Sequence, residues 1–408
     1  LAFVRQHMLA RAPEPHGPYG LEAETDPPIP GLIEAATRLE GALARLGAPL
    51  LALARRLEAR LEAEAGELDT PTRLRIEAIA RGLDRRGRAE LAAWQAMLAG
   101  LARPTDPDAS DDDGDAPANP FVDWFGLDRS EGRDVDVGMS RHWIDPTVPF
   151  VRHVASKAHG LIVTSATLRD RTGEEETDWA SAEALSGARH LQAPAIRAAV
   201  PSPFDYATQT RVFVVTDVRK TASDQVAAAY RELFLAARGG ALGLFTAIAR
   251  LRDVHGRIAG ALETAGLPLY AQHVDAWNTT TLVDIFRAEQ DACLLGTDAV
   301  RDGVDVPGRA LRLIVCDRVP WPRPDILHRA RKAAFLGRAY DDQIARMRLK
   351  QAFGRLVRRA DDRGVFVMLD PAMPSRLAGA FPEGVMVSRL GLKDAIAAVR
   401  LFLDPSLA

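Results

Sequence analysis

The feature that most constrains the fold is a train of short, uncharged, β-rich apolar runs separated by helical stretches. The runs lie at 161–164, 212–215, 241–245, 267–270, 292–295, 311–315 and 365–369. A run apolar on both faces suits a strand buried in a parallel sheet with helices covering each side. Between the runs, residues 222–237, 246–263, 280–289 and 342–359 carry helical periodicity. Strand–helix alternation through 205–375 therefore predicts an α/β fold with a doubly wound parallel sheet.

The upstream part has a different texture. Residues 1–30, rich in proline and glycine, predict an irregular lead-in. From Ile33 onward, Leu39, Leu43, Leu46, Leu50, Leu53, Leu57 and Leu61 recur at steps of three and four, one apolar helical stripe. Pro49 interrupts it and predicts a kink or two helices. A second stripe runs through Leu74, Ile76, Ile79, Leu83, Leu91, Trp94 and Leu98, with Thr70 expected as its cap and Pro71 in its first turn. Two such helices predict an antiparallel hairpin. Residues 104–118 are acidic and Pro-rich, and the run at 111–115, although it contains Gly114, lacks the spacing and terminal glutamate of an EF-hand loop, so a solvated linker is expected. Residues 121–137 suggest short strands.

Composition excludes several classes. Two cysteines, Cys293 and Cys316, cannot make a disulfide scaffold, a four-cysteine zinc site or a self-contained Fe–S cluster. Both lie in apolar runs, as buried thiols do. No metal site is expected. Only five of the 52 basic residues are lysine and none follows a glycine, so GxxxxGK[ST] is absent. No apolar stretch approaches the ~18–20 residues of a membrane span, and the start lacks a signal-peptide layout. A cytoplasmic protein is expected. Net charge is −3, yet residues 309–359 hold fourteen Arg or Lys against four Asp or Glu, a local excess that favours an anionic partner.

In open parallel sheets ligands bind at the carboxyl ends of the strands. The small polar residues there are Ser165 and Thr167, then Thr246, then Gly296, Thr297 and Asp298, followed by Gly303 and Asp305. Such residues let backbone amides approach phosphate oxygens, and they also fill ordinary turns. The sharper pattern spans Gln351 to Arg359. At 100° per residue Arg348, Gln351, Arg355 and Arg358 form one helical stripe, opposite Leu349, Phe353 and Leu356. Guanidinium forks suit phosphate oxygens, although a solvated arginine face would show the same pattern. Gly354 within this stretch suggests close approach by another group.

The order of these elements resembles superfamily 2 helicases of the DinG/XPD type. Thr164 to Leu168 resembles the SAT motif, Ser202 to Tyr206 the SPF element, and Gly243 to Thr246 motif IV. Gly296 to Gly308 is similar to motif V, Val319 to Pro324 to the LPFxxP stretch, and Gln351 to Arg358 to the QxxGRxxR of motif VI. The resemblance covers about 155–400. It implies a RecA-like lobe preceded by an α-helical arch-like insertion. The boundaries expected on it are an arch-like region with acidic linker at 1–118, a return segment completing a first RecA-like lobe at 119–200, and a second lobe at 201–408.

The resemblance further implies ATP and Mg2+ as cofactors and single-stranded, forked or duplex DNA as partners. Arg355 and Arg358 would act as arginine fingers, with Gln351 positioning them or the phosphate. Asp305 and Gly303 would meet the nucleotide or the finger arginine, while Ser165 and Thr167 couple hydrolysis to lobe movement. Thr246, Gly296, Thr297, Asp298, Arg318 and Arg323 would hold the DNA backbone, with Trp321 stacking on a base or packing in the core. The sequence departs from the family at Val300 to Asp302, which bears on the nucleic-acid or coupling contact. The phosphate loop, the magnesium box and any Fe–S cysteines precede the arch in family order. The expectation is a chain that begins inside the arch, lacks the upstream ATP-binding portion and is inactive alone. The competing reading is a nucleic-acid-binding module without its own ATPase; a nuclease finds no acidic cluster at the strand ends.

Overall fold

Six of the seven apolar runs become strands. In a computed structural model describing residues 1–12, 17, 19–102, 119–130, 132–303, 305–335 and 337–404, the chain divides into two compact units. One comprises Leu1–Pro146 with Pro324–Phe335, the other Thr147–Arg323 with Leu336–Ala408.

The second unit is built on a seven-stranded parallel sheet. Its strands are β4 (Thr210–Val215), β5 (Ala241–Leu244), β6 (Leu269–Ala271), β7 (Cys293–Gly296), β8 (Leu313–Cys316), β9 (Gly364–Met368) and β10 (Val387–Leu390), in the order β10-β4-β9-β8-β5-β7-β6. Alternation splits each strand between two cores. Phe213 and Val215 face helices Ser223–Ala237, Ile248–Thr264 and Leu392–Leu403, whereas Val212 and Val214 face helices Thr279–Ala288 and Arg338–Phe353. Helices thus cover both faces, the doubly wound architecture expected.

Arg312 locks the amino-terminal end of β8. Its buried guanidinium donates to the carbonyls of Ala237, Arg238, Gln290 and Arg309 and to Asp291 Oδ1. Cys293 at the start of β7 and Cys316 at the end of β8 are both buried, on strands that β5 separates and in different cores. Burial pushes the Cys293 thiol up to about 12 and the Cys316 thiol further.

The exception among the apolar runs is 161–164, which joins no sheet, with Ile162 91% exposed. An apolar β-rich run forms a strand only beside another strand, and none of the described strands adjoins it. Conversely β10, with Ser388 and Arg389 in its centre, carries no apolar run and was not anticipated; it pairs with β4 at the sheet edge.

The first unit contains the helical hairpin. Helix Leu32–Ala63 continues through Pro49 as one helix rather than two, because proline removes a single donor while the flanking turns still bury Ala36, Ala54 and Leu61. The second helix, Thr70–Arg85, passes through a π turn at Arg86–Glu90 directly into Leu91–Leu101. Gly87 in that turn approaches Leu51 so closely that a Cβ would lie 2.8 Å from its side chain. The cap is Asp69, not Thr70: Asp69 Oδ1 accepts the Thr72 amide at 2.7 Å, and Thr70 is the first helical residue.

The lead-in is more ordered than its composition suggests. Helix Ala2–Arg11 and strand β1 (Leu21–Glu24) build a small core with Met8, Ala23, Leu32, Phe125 and Leu127. Residues 121–143 form a long hairpin, β2 (Phe121–Ser130) and β3 (Arg133–Trp143), and β1 pairs with β2, aligning Ala23 with Phe125. This pairing assigns 119–146 to the first unit instead of to a segment running on to residue 200. The acidic residues 104–118 lie outside the described residues. No helix among the described residues is long and apolar enough to cross a membrane.

Candidate functional site

The helix following β5 covers one face of the sheet, whereas the elements following its neighbours β7 and β8 cover the other. A crevice opens where such connections diverge. Here it is a cleft lined by Thr246 at the end of β5, Thr297, Asp298 and Arg301 after β7, and Arg318 after β8, with Arg348 from helix Arg338–Phe353. Several residues selected for nucleic-acid contact thus converge: Thr246, Thr297, Asp298 and Arg318.

The cleft walls are fixed by hydrogen bonds. Gln272, buried at the end of β6, accepts from the Thr297 amide at 3.0 Å and its hydroxyl at 2.8 Å. Arg301 donates to Asp298 Oδ1 at 2.8 Å, and Arg348 Nη1 donates to the carbonyls of Pro320 and Trp321. Gly296 allows the turn after β7, since a Cβ there would fall 2.5 Å from Val300. Trp321 is 39% exposed and Arg323 is exposed, so neither belongs to the core.

Beneath the cleft lies a charge pair that the sequence did not disclose. Asp317, fully buried, accepts the Thr246 amide at 3.3 Å through Oδ1, and its Oδ2 lies 2.9 Å from Arg250 Nε. The Arg250–Asp317 contact is ionic without hydrogen-bond alignment. Arg250 Nε and Nη2, Arg318 Nε and Asp317 Oδ2 are buried without a hydrogen-bond partner. Burial raises the Asp317 carboxyl to about 6, against the opposing pull of Arg250 and Arg318. Around the cleft, Arg250, Arg301, Arg318 and Arg348 outnumber Asp298 and Asp317, which favours an anionic occupant.

The arginine stripe expected along one helix does not form. Helix Arg338–Phe353 stops at Gly354, leaving Gln351 in its last turn and Arg355 and Arg358 on the following loop. Gly354 serves as the helix terminator, and no neighbouring element crowds it: a Cβ there would meet its own helix's Lys350 carbonyl at 3.2 Å. The chain then tightens, Arg355 N donating to Ala352 O and Leu356 N to Phe353 O, which drives Leu356 and Val357 into the core. Asp362 Oδ2 accepts the amides of Arg358 and Arg359 at 2.7 and 2.8 Å. Gln209, buried ahead of β4, donates to the carbonyls of Arg359, Ala360 and Asp362. Arg358 Nε lies 3.3 Å from Asp305 Oδ1, joining two selected residues, and the Asp305 carbonyl accepts from Arg287. Gly303 closes the short helix two residues before Asp305.

Ser165 and Thr167 form a local hydroxyl pair, Oγ to Oγ1 at 3.1 Å. The segment after them is tied to helix Arg338–Phe353. Asp170 accepts two bonds from Arg346 at 2.8 and 2.6 Å, Lys350 donates to the Arg169 carbonyl at 2.7 Å, and Gln343 to Ser181. Burial pulls the Lys350 ammonium below its usual range. Among the described residues, no three His, Cys, Asp or Glu converge as a metal site. Sequence reasoning missed Arg250, Asp317, Gln272, Gln209 and Asp362. Of these, Asp317 and Gln272 each stand two residues past an apolar run, a strand-end position.

Residues 230–385 match the helicase C-terminal domain family. The ATP-dependent helicase DinG of Mycobacterium tuberculosis is 36% identical over 194 residues, 45% of this chain and 28% of that protein. The ATP-dependent DNA helicase YoaA of Escherichia coli is 31% identical over 284 residues, 65% of this chain and 42% of that protein. The 3'-5' exonuclease DinG of Bacillus subtilis is 28% identical over 185 residues, 42% of this chain and 20% of that protein. The chain thus spans less than half the length of each of these relatives.

Proposed function

From a chain that carries a helicase C-terminal domain of the DinG type, we infer the motor half that grips single-stranded DNA and completes an ATP site. In this reading it works with an ATP-binding lobe to couple hydrolysis to translocation and duplex unwinding. The observation that carries the reading is the strand-end cleft. Thr246, Thr297, Arg318 and Arg348 converge there with a basic surplus. Hydroxyls, amides and guanidiniums of this kind hold a phosphate backbone irrespective of sequence.

ATP would supply the phosphoryl group, with Mg2+ held by the partner lobe. The residues present suit one side of such a site. Arg355 and Arg358 stand on one loop, and Gln209 and Asp362 fix its backbone from Arg358 to Asp362, which limits the reorganisation needed to present the Arg358 charge. The Arg358–Asp305 contact is exposed enough for a phosphate oxygen to replace the carboxylate, Asp305 being 70% and Arg358 38% exposed. Gln351 would orient this pair. Ser165 and Thr167 sit where Asp170 and Lys350 join their segment to helix Arg338–Phe353, which leads into the arginine loop. The exposed apolar run at 161–164 fits a missing strand of the partner lobe's sheet.

The test has two arms. The chain should bind an oligo-dT strand at low salt, with affinity falling steeply as salt rises. When it is joined to an ATP-binding lobe, Arg355→Ala should abolish DNA-stimulated ATP turnover while strand binding persists. Unchanged turnover would overturn the finger assignment, and salt-independent or absent binding would overturn the reading as a whole. The absence of GxxxxGK[ST] from this sequence favours a second reading, a binding module without its own ATPase. Turnover measured on the chain alone and with the partner lobe separates the two.

A further inference from the structure

We propose that Trp277 is a stacking platform for the bases of a single strand leaving the cleft, a contact that rests on the nucleic-acid reading above. Trp277 lies in the loop between β6 and helix Thr279–Ala288. Gln272 bolts the start of this loop to the cleft wall, accepting from Thr297 and donating to Thr279 Oγ1 at 3.1 Å. Asp275 accepts the Ala271 amide at 2.8 Å, and Asn278 caps the helix that follows.

On the other side, Arg252, one turn into the helix after Thr246, donates to the His273 carbonyl at 3.1 Å. His273 is held at φ 65°, a left-handed conformation uncommon for a residue other than glycine. These bonds place the loop at the rim of the cleft, between Thr297 and the Thr246 side, and give it one shape.

On this rigid loop the largest side chain points outward. Trp277 is 49% exposed, with Val274 at 41% and Ile248 at 42%. The Tyr270 ring braces the indole at 6.0 Å, and the Tyr270 hydroxyl is anchored in turn on Glu289. A fixed, half-exposed indole beside a basic cleft has the layout of single-strand binding sites, where a charged groove tracks phosphates and aromatic faces take successive bases. With Asp298 paired to Arg301, Arg252, Arg318 and Arg348 outnumber the carboxylates of Asp275 and Glu289 along the path. A duplex hides its base faces, which makes the occupant a single strand.

The test is fluorescence anisotropy of a labelled oligo-dT strand on the intact chain. Trp277→Ala should weaken binding about tenfold and Trp277→Phe by no more than about twofold. Neither should change the slope of affinity against salt, because the side chain carries no charge. A strand of abasic residues should bind the wild type about tenfold more weakly and erase the difference between wild type and Trp277→Ala. Equal binding of dT and abasic strands, or wild-type affinity in Trp277→Ala while Arg318→Ala is impaired, would overturn the platform and leave the cleft reading intact. If the wild type shows no salt-sensitive binding, both fall. Wild-type strand binding in Trp277→Ala with capture of an apolar peptide lost would assign the patch to a protein partner instead.

Discussion

Replacing Asp317 with Asn removes a fully buried carboxyl that burial holds near pKa 6 instead of its usual 3.8. The native state therefore binds this proton more tightly than the unfolded chain does. Stability from this group is fully present below pH ~4 and is lost as pH rises through about 6. The whole shift corresponds to about 3 kcal/mol, of which about 1.4 kcal/mol falls between pH 5 and 8. Asn keeps an acceptor for the Thr246 amide but cannot ionise. Amide exchange of peptides covering Ala241–Phe245 and Leu313–Asp317, corrected for intrinsic rates, reads the opening free energy of β5 and β8. The difference, Asp317→Asn minus wild type, should rise by about 1.4 kcal/mol from pH 5 to pH 8 and level off above pH ~7. A constant offset reports the lost Arg250 contact and leaves the slope as the test. A pH-independent difference would show that the carboxyl titrates normally, and a falling one would reverse the sign; either refutes the reasoning.

The same protonation removes a negative charge from beneath the cleft. Affinity for an oligonucleotide at fixed ionic strength should therefore rise about three- to tenfold from pH 7.5 to 5.5 in the wild type, and by less in Asp317→Asn; equal pH profiles would disconnect Asp317 from the bound anion. Arg312→Ala strands the carbonyls of Ala237, Arg238, Gln290 and Arg309 and should cost about 3–5 kcal/mol in urea unfolding. A loss below about 1 kcal/mol would mean that water replaces the guanidinium freely.

The sheet was legible because strands buried on both faces announce themselves as apolar runs, as at 212–215 and 292–295. That signal is not sufficient: 161–164 carries it and stays unpaired, since a strand is a property of a pair. Nor is it necessary, because β10 takes its place through backbone bonds to β4 while exposing Arg389. Thr246 and Thr297 were legible from their places behind apolar runs, and Arg318 only through the resemblance. Arg250 and Gln272 were not, because one sits a turn inside a helix and the other behind a three-residue strand, and each acquires meaning only from a partner distant in sequence. Periodicity misled at Arg355 and Arg358 by extending a helix past Gly354, where burying Leu356 and Val357 required a tight turn. Arg358 still met Asp305, across a loop rather than along a helix face.

The placement of the two cysteines has a practical consequence. Both residues are buried within the sheet, on strands β7 and β8, and both thiols resist ionisation at neutral pH. A maleimide dye would therefore ignore the native chain and react with a single cysteine introduced at an exposed position. No cysteine-free background is needed. A fluorophore pair, one on such a site and one on an oligonucleotide, could follow the path of a bound strand on an otherwise unaltered sequence.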